Sequence, residues 1–334
     1  QWAPHLAAEG IEIVYEPFMD DALGALMKQP GHMARKAAGV LRGLSGRIAS
    51  AFRASRFDAA YVFREGALMG PAIAERLLAR SGVPYVYDFD DAVWVRYVSP
   101  ANSYYSYLRF PGKTATLCRL ATHVIAGNAY LQDYALAHNP RVSVVPTTID
   151  TVQYQIVSRR VATRPVIGWT GSYSTVQYLA LVRPALERLR ARHDFRFVVV
   201  GGTGFAAAGV EVEHRPWVST SEVEDLSDFD VGIMPLPDAV WERGKCGAKA
   251  LQYMGLGIPV VVSPVGANTD IVRNDVNGCL ASTTEEWEAA LERLLLDPAL
   301  RERLGREGRR TVEARYSALV HAPRVAAIFK GLRR

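Results

Sequence analysis

The stretch that decides the fold runs from Gly244 to Asn268 and reads GKCGAKALQYMGLGIPVVVSPVGAN. Its order of residue types predicts a loop, a helix that ends at Gly255 and Gly257, and a buried strand over residues 258–263. An apolar, β-branched run of this kind is typical of a parallel sheet that helices cover on both faces. The stretch therefore predicts an α/β domain.

The same stretch predicts a ligand site. Lys245, Lys249 and Gln252 stand at spacings of four and three, so a helix over this segment would carry all three on one face. The first turn of a helix adds free backbone N–H groups and a partial positive charge to the two ammonium groups. Such a site favours an anion, and phosphate is the natural candidate.

The overall composition bounds the class of protein. A chain of 334 residues with 49% hydrophobic residues is long enough for two domains with separate cores. Its three cysteines stand far apart without CxxC spacing, which argues against a disulfide framework and a zinc site. No apolar run reaches the roughly 18 residues that span a bilayer, and the N-terminus lacks the pattern of a signal peptide. We expect a cytoplasmic protein.

Strand-like and helix-like segments alternate in two series, which predicts parallel sheets with right-handed crossovers. In the first domain, residues 1–150, the expected strands are 11–15, 59–63, 84–88, 123–126 and 142–145. In the second domain, residues 165–313, they are 166–169, 196–200, 210–214, 231–234, 258–263 and 279–281. Residues 151–164 are predicted to form a linker and 314–334 a C-terminal helix. The chain begins within a predicted helix, so we expect the first strand of the first domain to be missing.

Small residues follow several strands of the second series, at the end of the sheet where open parallel sheets bind ligands. They are Gly171, Ser172, Gly201, Gly202 and Pro235. Glycine lets a backbone approach a phosphate closely, although short βα loops also need glycine for geometry alone. The chain lacks a full G-x-G-x-x-G pattern followed by an acidic residue, which disfavours a nicotinamide cofactor. We predict no cofactor.

Three carboxylates occur in the sequence DFDD at 88–91, at the end of a predicted strand. Two interpretations remain open: a metal or acid/base site, and a loop whose aspartates cap the next helix. The strand-end position favours contact with a substrate, so Asp88 and Asp91 are candidate catalytic residues. Arg64 and Glu65 end another strand, where they could form a surface ion pair or line a cleft.

Residues 28–56 contain seven lysines and arginines and no acidic residue, against a net charge of only +5 for the chain. Leu41, Leu44, Ile48 and Phe52 recur at spacings of three and four, which predicts a helix with one apolar face bordered by arginines. Such a helix can lie on an anionic membrane, or it can pack its apolar face on its own domain; both remain open. Nucleic acid is disfavoured because no recognition motif accompanies the basic residues.

Aromatic side chains crowd a loop-like stretch shortly after the aspartates. They are Tyr97, Tyr104, Tyr105, Tyr107 and Phe110. This composition suits sugar stacking or an interfacial contact, and a packed lid would have the same composition.

Several segments together resemble the retaining glycosyltransferases of family 4, which have the GT-B fold. They are IGWTGSYSTVQYL, DVGIMPLPD, the stretch from Gly244, NGCLASTTEEW and, less specifically, YDFDDAVW. The resemblance covers residues 165–316 and, more weakly, 57–150. It implies two facing Rossmann-like domains with parallel sheets. The C-terminal domain would hold a nucleoside diphosphate sugar and the N-terminal domain an acceptor, and the last helix would cross back.

The resemblance also assigns roles to residues. Gly171 and Ser172 would lie beside the donor diphosphate, Gly201 and Gly202 would form the turn after the second strand, and Trp217 and Val218 would border the base. Lys245 and Lys249 would neutralise the diphosphate as it departs, because enzymes of this fold generally hold no metal to absorb its charge.

The chain departs from the family pattern at two points. The family carries E-x(7)-E here, whose second glutamate bonds the nucleotide ribose, whereas this chain has Gly244 and Gln252. The side-chain oxygen of Gln252 can still accept from a hydroxyl, so we expect Gln252 to bond the ribose. The basic residues common after the first strand of that domain are replaced by Ser174 and Thr175, which leaves more of the phosphate charge to the two lysines.

The sequence therefore predicts a retaining glycosyltransferase. It would move a hexose from a nucleoside diphosphate sugar to a hydroxyl acceptor, a glycolipid or a growing polysaccharide, with contact to the inner face of a membrane through residues 28–56. Two alternatives remain: a nucleotide-sugar epimerase of the same architecture, and a non-catalytic nucleotide-sugar-binding or scaffold protein.

Overall fold

The computed structural model describes residues 2–27, 31–67, 69–96, 110–156 and 164–332. The chain divides into two compact units. The N-terminal unit comprises Ala3–Pro146 and Pro323–Arg334, and the C-terminal unit comprises Gln1–Trp2 and Thr147–Ala322.

The N-terminal unit contains a parallel sheet of four strands in the order β1-β2-β3-β4. The strands are β1 Ala60–Phe63, β2 Tyr85–Phe89, β3 His123–Ala126 and β4 Val142–Val144. Among the described residues before Pro146, the helices are α1 Ala3–Ala8, α2 Asp21–Met27, α3 Met33–Arg53, α4 Ile73–Arg80, α5 Lys113–Leu120 and α6 Ala129–Leu136. Because helices alternate with these strands, every sheet connection is a crossover, as the sequence predicts.

The strand predicted at residues 11–15 is wrong, since residues 11–17 have no strand conformation. Val14 and Tyr15 are exposed there. A strand needs a neighbour for its N–H and C=O groups, and among the described strands β1 pairs with β2 alone. The apolar alternation of this segment was therefore not enough to form a strand.

The C-terminal unit contains a parallel sheet of six strands in the order β10-β9-β8-β5-β6-β7. The strands are β5 Val166–Thr170, β6 Arg196–Val200, β7 Val212–Arg215, β8 Val231–Met234, β9 Val260–Val262 and β10 Cys279–Leu280. The helices are α7 Arg183–Arg190, α8 Glu222–Ser227, α9 Val240–Arg243, α10 Ala248–Gly255, α11 Asn268–Ile271, α12 Thr284–Leu296 and α13 Pro298–Arg315. Helix α14, Ala318–Lys330, contains the division between the units.

Apolar clusters cover both faces of the six-stranded sheet. One contains Val198 and Val260 of the sheet with Leu251 and Met254 of α10. The other contains the alternate strand residues, such as Phe197 and Val261, with side chains of α7 and α12. Because successive strand residues point to opposite faces, the continuous apolar runs of this sheet fill two layers, as the stretch from Gly244 predicts.

The strand order places a switch point beside β5. Strand β5 pairs with β6 on one side and with β8 on the other. The connections after β5 and after β8 therefore lead away in opposite directions and leave a crevice at the carboxyl ends of these strands. Gly171 follows β5 and Pro235 follows β8 at this crevice.

Candidate functional site

The glycine loops after β5 and β6 contact each other. The Gly171 N–H donates to the Val200 carbonyl over 3.0 Å. A Cβ atom on Gly201, whose φ is +87°, would lie 2.5 Å from the Gly171 carbonyl oxygen. Only glycine suits this position, because it combines a left-handed backbone with a close backbone approach. The structure thus brings together two of the predicted site residues.

Lys249 lies over the first of these loops. Its ammonium nitrogen is 5.5 Å from the centre of the Trp169 ring. A Cβ atom on Gly171 would lie 2.5 Å from that ring and 2.8 Å from Cε of Lys249. The Tyr253 hydroxyl accepts from the Thr170 N–H over 2.8 Å, which ties α10 to the end of β5. A side chain at 171 would displace Lys249, so the glycine keeps a cation beside half-buried backbone.

Lys245 is not on the helix, and the predicted arrangement of three polar residues on one helix face is wrong. Helix α10 begins at Ala248, after Gly247 with φ 70°. The left-handed turn at Gly247 separates Lys245 from the helix, while Lys249 and Gln252 stay on α10 at a spacing of three. The ammonium nitrogen of Lys245 lies 5.2 Å from the centre of the Trp241 ring.

A hydrogen-bonded cluster lies beyond the glycine loops. Glu222 of α8 accepts from Nε1 of Trp217 over 2.7 Å, from Nε2 of Gln252 over 3.1 Å and from the Tyr154 hydroxyl over 2.5 Å. Trp217 is 51% exposed, and its Cβ would be 3.0 Å from a Cβ on Gly201. Burial, followed by the bond to Glu222, raises the pKa of Tyr154 well above its usual range. Sequence reasoning missed Glu222 and Tyr154.

The other predicted site residues of the C-terminal unit differ in how exposed they are. Ser172 and Val218 are exposed, and Oγ of Ser172 lies 2.8 Å from Oγ of Ser174. Gly202 and Pro235 are buried. They shape the loops from within, whereas Ser172 and Val218 offer atoms to solvent.

Sequence reasoning also missed the carboxylate of Glu242 in α9. Glu242 is buried and accepts a hydrogen bond from the Tyr178 hydroxyl. Tyr178 follows the Gly171 loop, so this bond joins the segment before Lys245 to the loop after β5. No residue spacing connects positions 178 and 242, and only the fold brings them together.

The carboxylates predicted to be catalytic lie in the N-terminal unit. Asp88, in β2, is buried and accepts from the Tyr61 hydroxyl. Arg64 bonds Asp90 over 2.5 and 2.9 Å and Asp91 over 2.8 Å. Arg64 therefore pairs with aspartates rather than with Glu65, which pairs with Lys113 over 2.6 Å.

One aspartate of this cluster, Asp88, has a raised pKa. Burial raises the pKa of Asp88 to about 7, with a further increase from Asp90, while Tyr61 and Arg64 act in the opposite direction. Asp88 and Asp91 belong to a different unit from Lys245 and Lys249. Within the described residues, no three His, Cys, Asp or Glu side chains are grouped so that they could hold a metal ion.

Helix α3 carries the apolar face predicted within residues 28–56, but the exposure of that face varies along the helix. Leu44 and Ile48 line an apolar cavity of about 290 Å³, together with Ile73 and Phe110 among others. Leu41 and Phe52 project into solvent instead, and are 65% and 73% exposed. The predicted face thus divides into a packed part and an exposed part. Lys28 and the tyrosines at 97, 104, 105 and 107 lie outside the described residues.

Part of the C-terminal unit matches a known protein family. Residues 164–297 match the model of a family described as glycosyl transferases group 1. A search of curated protein sequences gives no match. None of the described helices is both long and apolar enough to span a membrane.

Solved structures of similar fold cover most of the chain. Sucrose-phosphate synthase from Thermosynechococcus elongatus is 14% identical with a TM-score of 0.65, over 88% of this chain and 79% of that one. Anabaena HepE in complex with UDP and glucose is 16% identical with a TM-score of 0.65, over 91% and 84%. A glycosyltransferase from Rickettsia africae is 14% identical with a TM-score of 0.64, over 98% and 87%.

These matches confirm the predicted GT-B fold and the resemblance to glycosyltransferases. The chain has the α/β fold of the GT-B glycosyltransferases, with two units that each hold a parallel sheet. Residues 164–297 form a glycosyl transferases group 1 domain.

Proposed function

We propose that the chain is a retaining glycosyltransferase that moves a hexose from a nucleoside diphosphate sugar to a hydroxyl acceptor. The observation that carries the proposal is the position of Lys249 beside the Gly171 backbone, at the switch point of a group 1 domain. A cation beside glycines that leave room for a ligand, at the carboxyl ends of parallel strands, suits a diphosphate. The occurrence of UDP-glucose in the similar HepE structure supports this choice of ligand.

The chemistry requires charge stabilisation above all. As the bond between the sugar and the diphosphate breaks, negative charge accumulates on the leaving phosphate oxygen. Lys249 and Lys245 supply positive charge to it, so we propose that no metal is needed. Retention follows if the acceptor attacks on the face that the phosphate leaves, and the leaving phosphate oxygen takes the acceptor's proton. Gly171, Ser172, Gly201 and Gly202 position the diphosphate, while Trp217 and Val218 border the base.

The acceptor binds to the N-terminal unit in this proposal. Asp88 and Asp91 lie at the carboxyl end of β2, the end of a parallel strand at which ligands bind. We assign Asp88 to a hydrogen bond that orients the acceptor hydroxyl, whose proton passes to the leaving phosphate oxygen, with Asp91 held by Arg64 beside it.

A lipid-linked saccharide suits the N-terminal unit as acceptor. The cavity beside α3 is apolar, and Ile73, which lines it, is partly exposed. Leu41 and Phe52 of the same helix are also exposed. An amphipathic basic helix binds anionic lipid surfaces through apolar burial and charge together. Residues 28–56 are therefore proposed as a peripheral contact with the inner face of a membrane. A growing polysaccharide is the second acceptor class, and nucleic acid is not proposed as a partner.

The donor is tested by a thermal-shift screen with uridine, guanosine and adenosine diphosphate sugars. We expect one nucleotide series to raise the unfolding temperature. The stabilising donor is then incubated with lipid-linked and polysaccharide acceptors, and the anomeric configuration of the product is read by NMR. Transfer with retention supports the proposal, and Lys245→Ala and Lys249→Ala should each reduce turnover.

Three outcomes would overturn the proposal. No stabilisation by any donor would remove nucleotide-sugar binding. Release of an epimerised sugar without acceptor would favour the epimerase alternative. Tight binding without transfer or hydrolysis would favour a non-catalytic binding or scaffold protein, an alternative to which Gln252 lends support because an amide replaces the carboxylate of the family pattern.

A further inference from the structure

The carboxylate of Glu222 joins three segments that are distant in sequence. Its Oε1 accepts from Nε1 of Trp217 and from Nε2 of Gln252, and its Oε2 accepts from the Tyr154 hydroxyl. Nε2 of Gln252 also donates to the Tyr154 hydroxyl over 3.0 Å. The four side chains therefore form one hydrogen-bonded cluster, with the only carboxylate at its centre.

This cluster continues the glycine loops. Trp217 borders Gly201, Gly201 borders Gly171, and Gly171 borders Lys249. Lys249 and Gln252 stand three residues apart on α10, so their side chains share a face. The contacts thus form a closed ring that runs from Lys249 over the two glycines and Trp217 to Glu222, then through Gln252 back to the helix.

The two sides of the ring differ in chemistry. Lys249 and the room left by the glycines suit a phosphate, whereas Trp217 presents a half-exposed aromatic ring that suits a base. The part of a nucleotide between phosphate and base is the ribose, which carries two neighbouring hydroxyl groups. A carboxylate is the best acceptor for hydroxyl donors, since charged acceptors form the stronger bonds.

Glu222 retains capacity for such a donor. An ionised carboxylate offers about four acceptor positions. Trp217, Gln252 and Tyr154 each donate to one of them. Its Oε2 accepts from Tyr154 and has a second lone pair. The side chain is half-buried, so a ligand can reach it while the surroundings limit competition from water.

We propose that Glu222 recognises the ribose of the donor nucleotide, by accepting a ribose hydroxyl and by holding the Trp217 indole and the Gln252 amide in place. The inference rests on the proposed donor site and assigns a specificity-determining residue within it. It explains how a chain with an amide at 252 still presents a carboxylate there, supplied by α8 instead of α10.

The test exchanges the two side chains. Glu222→Gln keeps the shape and removes the charge, and Gln252→Glu alone places two carboxylates together. The double variant Glu222→Gln/Gln252→Glu restores one carboxylate and one amide. Glu224→Gln is the matched control, because Glu224 is an exposed glutamate on the same helix. Calorimetry measures the Kd of the nucleoside diphosphate that stabilises the wild type most, and of its 2′-deoxy and 3′-deoxy analogues.

We expect the wild type to prefer the ribonucleotide over at least one deoxy analogue. Glu222→Gln should weaken ribonucleotide binding about 10-fold and reduce that preference. Gln252→Glu alone should also weaken binding, since like charges at close range repel, and the double variant should recover part of the loss. Transfer assays should show the loss mainly in KM.

Equal weakening of ribonucleotide and deoxynucleotides, or unchanged binding by a folded Glu222→Gln protein, would show that Glu222 is only a structural cross-link. In that case the wild type still binds and transfers, so the proposed function stands. A wild type that binds no nucleotide would overturn both. Thermal unfolding checks the fold, and if Glu222→Gln does not fold, the double variant decides by its preference for the ribonucleotide.

Discussion

Asp88 is a single residue whose protonation links stability to pH. Its pKa is raised from an ordinary 3.8 to about 7, chiefly by burial. Between these values the folded protein binds a proton that the unfolded chain does not bind. Stability therefore falls as the pH rises from about 4 to about 7 and is constant above, as far as this group is concerned.

Asp88→Asn should remove this contribution. The amide oxygen still accepts from Tyr61, while the cost of burying a charge disappears. We expect the free energy of unfolding of the variant, relative to that of the wild type, to increase as the pH rises from about 4 to about 7. Urea unfolding at several pH values measures both free energies. Asp58→Asn, at an exposed position, is the control. A difference from wild type that does not change with pH would contradict the assignment.

Single site residues could be predicted from the sequence where a strand end or a helical spacing identifies them. Gly171, Gly201 and Lys249 follow strands or lie in a helix, and the structure brings them together. Glu222 and Tyr154 could not be predicted, because they stand 30 and 98 positions from Gln252. No local pattern records a contact that arises only when α8, α10 and the segment before β5 pack together.

Helix α10 is the element whose beginning sets the position of both lysines. The helix begins three residues later than the lysine spacing suggests, because Gly247 takes φ 70°. A Cβ atom at 247 would also lie 2.2 Å from Cδ1 of Ile271. A periodic pattern of polar residues contains no information on such a left-handed turn beyond the glycine itself.

Gly247→Ala should therefore be costly. Strain at a left-handed position costs on the order of 1–3 kcal/mol, and the clash with Ile271 adds to it. We expect a lower unfolding temperature and weaker nucleotide binding. Gly209→Ala is the matched control, since Gly209 has φ 71° but only Cγ of Arg190, at 3.9 Å, near a Cβ. If both variants lose the same stability and neither loses binding, α10 does not depend on this turn.

Helix α3 is the element proposed to contact a lipid surface. We expect the protein to sediment with vesicles that contain anionic lipids, and less so as salt is raised, because screening weakens exposed charges. Leu41→Gln/Phe52→Gln should reduce sedimentation. Val152→Gln replaces an equally exposed apolar residue of the other unit, 66% exposed, and should have no effect. Wild-type protein that stays in solution with anionic vesicles would contradict the membrane contact.

For the molecule as a whole, alternation of strands and helices predicted two parallel sheets. The structure contains them, with most strand bounds within two residues of those predicted. The order of strands could not be predicted, because it depends on which apolar faces pack together over long separations. The switch point beside β5, where we propose the donor site, is a property of this order and not of any one segment.

The central claim is that Lys249 and the glycine loops of the C-terminal unit bind the diphosphate of a nucleotide sugar. Calorimetry should compare the stabilising nucleoside diphosphate with its nucleoside, for the wild type, Lys249→Ala and Arg306→Ala. Arg306 is the control cation, because it forms an ion pair with Glu302 on an exposed helix surface. We predict that Lys249→Ala weakens diphosphate binding at least about 10-fold, or about 1.4 kcal/mol, and leaves nucleoside binding unchanged. Arg306→Ala should bind both ligands as the wild type does. Undiminished diphosphate binding by folded Lys249→Ala protein would contradict the claim.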